Sequence, residues 1–220
     1  MFKKAIIYIP LLILIFIVCA NTFAFAQRYF GVGIHVGGQH DVGDLTTFYP
    51  AAQTEPQNSA IFGVAIRLSI PFFFIRTGGD ASFTINKGKV LEDQATVGVN
   101  QYNVQYTMLP LYAGLQFPLR DRGAFYLGGG VSYFYGTGSV KLSNGTSQDI
   151  DATAYGAGFL AGMQLHVTSS FSLYMEWIYV DARSKPVITT TGTYNANNYK
   201  DLFIDYSGHR IMIGVMYYVL

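Results

Sequence analysis

Residues 60–70 read AIFGVAIRLSI, and their alternation decides the fold. In an extended chain Phe62, Val64, Ile66, Leu68 and Ile70 point one way, and Gly63, Ala65, Arg67 and Ser69 the other. Arg67 sits in the middle of the polar face. In a soluble sandwich the apolar face would be the core and Arg67 would meet water. In a membrane barrel the apolar face meets lipid and Arg67 points into the lumen. The rest of the chain chooses between these two.

The same rhythm recurs in eight segments: residues 29–37, 60–70, 74–85, 102–117, 125–135, 154–167, 171–181 and 203–220. In the first, Phe30, Val32, Ile34 and Val36 oppose Gly31, Gly33, His35 and Gly37. In the seventh, Leu173, Met175, Trp177 and Tyr179 oppose Ser172, Tyr174 and Glu176. Most are about as long as a tilted strand needs to cross a bilayer. The connections alternate strictly. Residues 71–73, 118–123 and 168–170 are short turns, while 38–59, 86–101, 136–153 and 182–202 are long and polar. This is the two-ended asymmetry of an outer-membrane barrel, short periplasmic turns opposite longer extracellular loops. Aromatics gather towards both ends: Tyr29, Phe30, Phe72, Phe73, Phe117, Phe171 and Tyr217 at the turns, and Tyr106, Tyr133, Tyr135, Tyr155, Tyr179 and Phe203 towards the loops. Two such belts are what the two bilayer interfaces select.

The N-terminus points to export. Lys3 and Lys4 precede an apolar run over residues 5–20, and Ala24-Phe25-Ala26 forms a small-x-small cleavage site before Gln27. A spanning helix wants about 20 apolar residues, and Pro10 interrupts this shorter run. The expected organisation is a signal peptide over residues 1–26 and one barrel domain over 27–220. Cys19, the single cysteine, falls in the discarded segment, so neither a disulfide nor a thiolate metal site is expected. The chain has a formal net charge of +1, with no basic excess to attract nucleic acid and no charged tail. After the N-terminal run no apolar stretch is long enough for a membrane helix. A membrane location therefore requires a closed barrel, because lipid leaves no open sheet edge satisfied.

At this point the chain resembles a known group. Residues 106–117 (YTMLPLYAGLQF), 125–133 (FYLGGGVSY) and 171–179 (FSLYMEWIY) look like strands of the small eight-stranded outer-membrane barrels, of the OmpX and OmpA-membrane-domain kind. Within these the chain is most similar to the outer membrane protein beta-barrel domain family. The resemblance covers essentially all of residues 27–220, through strand patterns rather than a specific motif. It implies an all-β, closed eight-stranded antiparallel transmembrane barrel in the bacterial outer membrane, in contact with lipid and lipopolysaccharide and monomeric. Such barrels usually end in an aromatic residue that the assembly machinery reads; this one ends Tyr217-Tyr218-Val219-Leu220.

Five charged residues fall on the expected lumen face: Arg67, Arg76, Asp80, Glu176 and Arg210. A barrel of about eight strands has an interior filled by side chains, and a buried charge needs a partner. Glu176 is therefore expected to pair with one or two of the arginines, Arg67 foremost. The structural reading is an ionic plug; the functional reading is a gate in a narrow pore, and the small strand number favours the plug. Asp205, Ser207 and His209 form a second constellation, spaced by two and so on one face. An acid, a hydroxyl and an imidazole invite a hydrolase reading, and some small barrels deacylate lipid A with a serine–histidine pair. In that pattern histidine precedes serine and the acid lies on another strand, whereas here the order is reversed. Side chains two apart also stand roughly 6.5 Å apart at the backbone, so polar rim residues explain the same letters.

His35 and His166 are expected in the lumen and His40 in a loop, without paired metal-ligand spacing. Gly128-Gly129-Gly130 lacks the lysine and hydroxyl residue of a phosphate loop and is read as relief of crowding in a curved sheet. Asn144-Gly145 reads as a hairpin tip. No catalytic residue, cofactor or metal is expected. The expected role is structural or interactive, with four long loops meeting an extracellular ligand. A narrow solute channel and a lipid-A-modifying hydrolase are the alternatives.

Overall fold

A computed structural model describes residues 29–40, 44–47, 58–82, 86–89, 99–120, 122–142, 147–185 and 202–219. The expected signal peptide, Asn144-Gly145, residues 186–200 and Leu220 lie outside these residues. The strands are β1 (Phe30–His40), β2 (Asp44–Thr47), β3 (Asn58–Ile70), β4 (Phe73–Ser82), β5 (Asn86–Lys89), β6 (Val99–Pro118), β7 (Gly123–Leu142), β8 (Ser147–His166), β9 (Phe171–Ala182), β10 (Leu202–Asp205) and β11 (Gly208–Val219). Eight of them run β4-β3-β1-β11-β9-β8-β7-β6, and a β4–β6 ladder closes the ring. Every pairing is antiparallel, so the architecture is the expected closed eight-stranded barrel. The first and last strands meet along a seam that runs from Phe30↔Val219 to His40↔His209. β5 extends the β6 ladder towards the loop end, and β2 and β10 form a separate two-stranded ribbon.

The alternation that defined the strands sorts their two faces. Along β1, β9 and β11 the apolar row is exposed and the opposing row is buried almost without exception. The exposed row (Ile34, Val64, Leu111, Val131 and Ile213 among others) forms a continuous apolar wall. A ring of aromatics stands at the turn end, where Tyr29, Phe30, Phe73, Phe117, Phe171 and Tyr217 are all exposed. At the loop end Tyr135 and Tyr155 are exposed and Tyr133 and Tyr179 half-buried. No helix among the described residues is long and apolar enough to cross a membrane; the strands cross instead.

The turns follow from local chemistry. Pro71 sets the bend between β3 and β4, and Phe72 takes a positive φ of 68°, the value that the third position of a type II turn demands. In the β8–β9 turn Thr168 Oγ1 accepts hydrogen bonds from the backbone N–H groups of Ser170 and Phe171. Pro110 lies inside β6, where it has no N–H to give. The β4–β6 ladder skips Gly78 and Gly79 at this height, and Thr77 Oγ1 donates to the Pro110 carbonyl at 2.9 Å.

Four expectations are corrected. Tyr106 and Phe203 do not join the outer aromatic belt; both are buried, at 2% and 5% exposure. Tyr106 shares the parity of Tyr112 on β6 and so faces inward. Residues 136–153 are not a long loop: β7 reaches Leu142 and β8 starts at Ser147. Above the lipid the outer face meets water, so the hydrophobic alternation fades while the ladder continues. His40 ends β1 rather than lying in a loop. Finally, the last strand is interrupted at Tyr206 and Ser207, and β10 beyond the gap keeps the register of β11, bridging Arg183 through Asp205 and pairing with β2.

Candidate functional site in the barrel lumen

Arg67, Arg76, Asp80, Glu176 and Arg210 all face inward and are at most 1% exposed. Their charged ends take three separate sets of partners. In the middle, Arg76 on β4 faces Glu176 on β9, with Nε 3.2 Å from Oε2, although the N–H is not aimed at the oxygen. Arg76 Nη2 also lies 3.8 Å from Asp80 Oδ1. Asp80 receives a second neighbour, His35 Nε2, at 2.8 Å, while His35 Nδ1 stands 2.9 Å from the Tyr174 hydroxyl. With neutral imidazole the network assigns Nε2–H as donor to the carboxylate and the tyrosine as donor to Nδ1. Gly63 makes this possible: a Cβ there would run into His35 and Asp80.

Towards the turn end lies Arg67, directly opposite Arg76 across the β3–β4 ladder. Like charges in that register repel, and the two guanidinium groups take different partners. Arg67 lies 3.6 Å over the Tyr126 ring, with Phe74 5.0 Å away, and donates from Nη1 to Gln164 Oε1 at 3.1 Å. Tyr218 donates to the same Gln164 oxygen at 2.6 Å. The expected Arg67–Glu176 pair is thus replaced by an indirect link, because the Tyr126 hydroxyl donates to Glu176 Oε1 at 3.1 Å. A desolvated guanidinium over an aromatic face gains about 2 kcal/mol.

Towards the loop end lies Arg210, 5.1 Å over the Phe134 ring and 5.8 Å from that of Tyr106. A relay continues from it: Arg210 Nη2 donates to the Tyr106 hydroxyl, which donates to Gln39 Oε1, and Gln39 Nε2 donates to Ser59 Oγ. Above this, Tyr206 stacks on Phe134 at 4.8 Å and 13°, and its hydroxyl donates to the Ala152 carbonyl at 3.2 Å. Burial, and secondarily Tyr106, raises the Tyr206 hydroxyl above the usual phenol range. With Ile204, also fully buried, Tyr206 covers the loop end of the lumen. Tyr206 N donates to Ala182 O and Ser184 N to Ile204 O, which hold this cover down.

Among the described residues, side chains from facing strands thus meet inside the barrel at all three places. Of the tyrosines on the expected inner face (Tyr112, Tyr126, Tyr174, Tyr218), Tyr126 lies under Arg67, a partnership that charge matching alone does not select. Among the described residues no carboxylate pairs with Arg67 or Arg210.

The Asp205, Ser207 and His209 constellation is not assembled into a triad. His209 follows the outward parity of β11, stacks on Trp177 at 5.7 Å and 18° and lies tilted against Tyr179 at 5.0 Å. Ser207 Oγ donates instead to Asp181 Oδ1 at 3.1 Å, and Asp205 takes Arg183 at 3.2 Å.

A closed barrel with a lipid-facing apolar wall, aromatic belts and an ion-containing packed lumen defines a class of small integral outer-membrane proteins. The outer membrane protein beta-barrel domain matches residues 11–218, and the chain belongs to that family. Its place is accordingly the bacterial outer membrane. No curated protein sequence matches the chain. Among solved structures it is similar to neisserial surface protein A, at 13% identity and a TM-score of 0.51, over 88% of this chain and 98% of that one. It is also similar to the outer membrane protein OprG from Pseudomonas aeruginosa, at 12% identity and a TM-score of 0.57, over 88% and 97%. At these identities the likeness shows the fold alone.

Proposed function

We propose that this is a surface protein whose work is structural and interactive, done by the part of the sheet that stands above the membrane. One observation carries the reading. β6, β7 and β8 are 20 residues each, roughly twice what a tilted strand needs to cross. β8 meets β9 only from Gly156↔Ala182 onward, so among the described residues 147–155 have a ladder partner on the β7 side alone. A strand edge of this kind accepts an added strand from a partner, with main-chain hydrogen bonds supplying affinity. Asp149, Asp151 and Thr153 are exposed there, giving the crest a polar outer face.

In this reading the lumen charges form a plug, residues 1–26 are a cleaved export signal, and residues 27–220 work as a monomer without cofactor or catalytic residue. Replacing residues 138–151 by a two-residue turn tests it. The shortened barrel should still shift on gels when heated, while cells displaying it lose adhesion to immobilised extracellular-matrix protein. Equal adhesion by both forms would remove the crest from the argument. Mass spectrometry of the membrane form should place its first residue at Gln27.

A second reading, a narrow channel, draws support from the middle cluster, since an ionic contact shared between Glu176 and Asp80 can re-pair around Arg76. Steady current in planar bilayers, altered by Glu176→Gln, would favour it. Lipid A of unchanged mass, in wild type and His209→Ala alike, would remove the hydrolase.

A further inference from the structure

Arg67 carries two buried donors that no described residue accepts. Its Nη1 donates to Gln164 Oε1, but Nε and Nη2 have no hydrogen-bond partner among the described residues. These two N–H groups stand side by side on one edge of the guanidinium and point the same way. That fork grips two oxygens of one oxyanion. Arg210 offers no such fork, since its free nitrogens, Nε and Nη1, lie on different edges and Nη2 is taken by Tyr106. Surplus charge alone does not require an anion. An empty fork buried away from water does need an acceptor, because the unmade hydrogen bonds of a charged group are costly.

The partners of Arg67 place the fork at the turn end. Gln164 lies two residues before the end of β8, and Tyr218, which shares its oxygen, one residue before the end of β11. Exposed Arg120 and Arg122 stand in the β6–β7 turn, which keeps an excess of positive charge with Asp121 counted. This end is also the less tightly sealed. Ser69, Gln116 and His166 on the inner face are half-buried, whereas Ile204 and Tyr206 at the loop end are fully buried.

We propose that Arg67 binds the carboxylate of a small organic acid that enters from the turn end. Charge selects the valence. Among the described residues, three buried arginines face two buried carboxylates, Asp80 and Glu176, and with neutral His35 one positive charge is left over. One monovalent anion balances it, and a phosphate dianion does not. Shape agrees with this. Tyr126 covers a face of the guanidinium and leaves its edge to a planar, two-oxygen group lying in the same plane.

Formate is the smallest probe of this class. The full chain, isotope-labelled at arginine Nε and folded in detergent micelles, is moved stepwise from sodium chloride to sodium formate at fixed ionic strength and neutral pH. The expected result is a saturable downfield shift of one Nε–H resonance, identified as Arg67 by its contact with the Tyr126 ring. The resonances of Arg76 and Arg210 should stay in place. Formate should also raise the urea midpoint of the wild type and of Arg210→Met above the value in chloride, since a ligand of the folded state stabilises it by mass action. Arg67→Lys keeps the charge without the fork and should show no such rise. A wild-type Arg67 resonance indifferent to the exchange, with water alone on the fork, would overturn the proposal. So would a shift confined to Arg210, or an equal rise of the midpoint in Arg67→Lys.

Discussion

Arg67 and Arg76 face each other across one ladder, both fully buried, yet they are held in different ways. Arg76 is held by charge, between Glu176 and Asp80. Arg67 is held by a ring and an amide, Tyr126 and Gln164. Two carboxylates cannot serve three buried arginines one to one. The barrel spends both on the middle position and stacks the outer two, Arg67 and Arg210, on aromatic faces. A lumen cation is therefore not by itself evidence for a lumen anion beside it.

Four substitutions bear on this contrast, beginning with the largest effect. Arg76→Ala leaves Glu176 and Asp80 facing each other without a cation and should destabilise the barrel by about 3–5 kcal/mol. Urea unfolding in lipid vesicles, followed by Trp177 emission, measures it. Glu176→Gln should come next, at about 3 kcal/mol, because Asp80 keeps part of the compensation. A double-mutant cycle then separates direct from indirect contact: Arg76 with Glu176 should couple strongly, and Arg67 with Glu176 by less than about 1 kcal/mol. Strong coupling of the second pair would break the comparison. Tyr126→Phe keeps the ring under Arg67 and removes the hydroxyl from Glu176, with an expected loss of about 1.5 kcal/mol. Smallest of all, Arg210→Met trades a stacked cation for an apolar chain of similar volume and should stay within about 1 kcal/mol of wild type.

Facing was legible in the sequence; partnership was not. Parity along a strand places a side chain on one side of the sheet, and that alone puts Arg67, Arg76, Asp80, Glu176 and Arg210 in the lumen. Which of them touch depends on the offset between strands that lie far apart in sequence, as Arg76 and Glu176 do, and no local pattern encodes that offset. Tyr106 shows a different failure. Its height along the strand suggests a belt residue, whereas its parity with Tyr112 turns it inward. For residues 136–153 the alternation itself ended, because a strand above the membrane has water on its outer face and no longer needs apolar residues there. Phe203 escapes both rules, since it shares the outward parity of His209 and Ile211 and is buried all the same.

The ladder between β7 and β8 runs unbroken from Gly123↔Leu165 beside the turns to Lys141↔Ser147 beyond the barrel rim. Its hydrogen bonds lie perpendicular to the strands. A tensile force applied at the outer end of these two strands pulls both the same way and loads their bonds to β6 and β9 in shear and in parallel. They must yield together rather than one after another. The hairpin is thereby a rigid mast, able to carry a load from the cell exterior to the opposite face of the membrane.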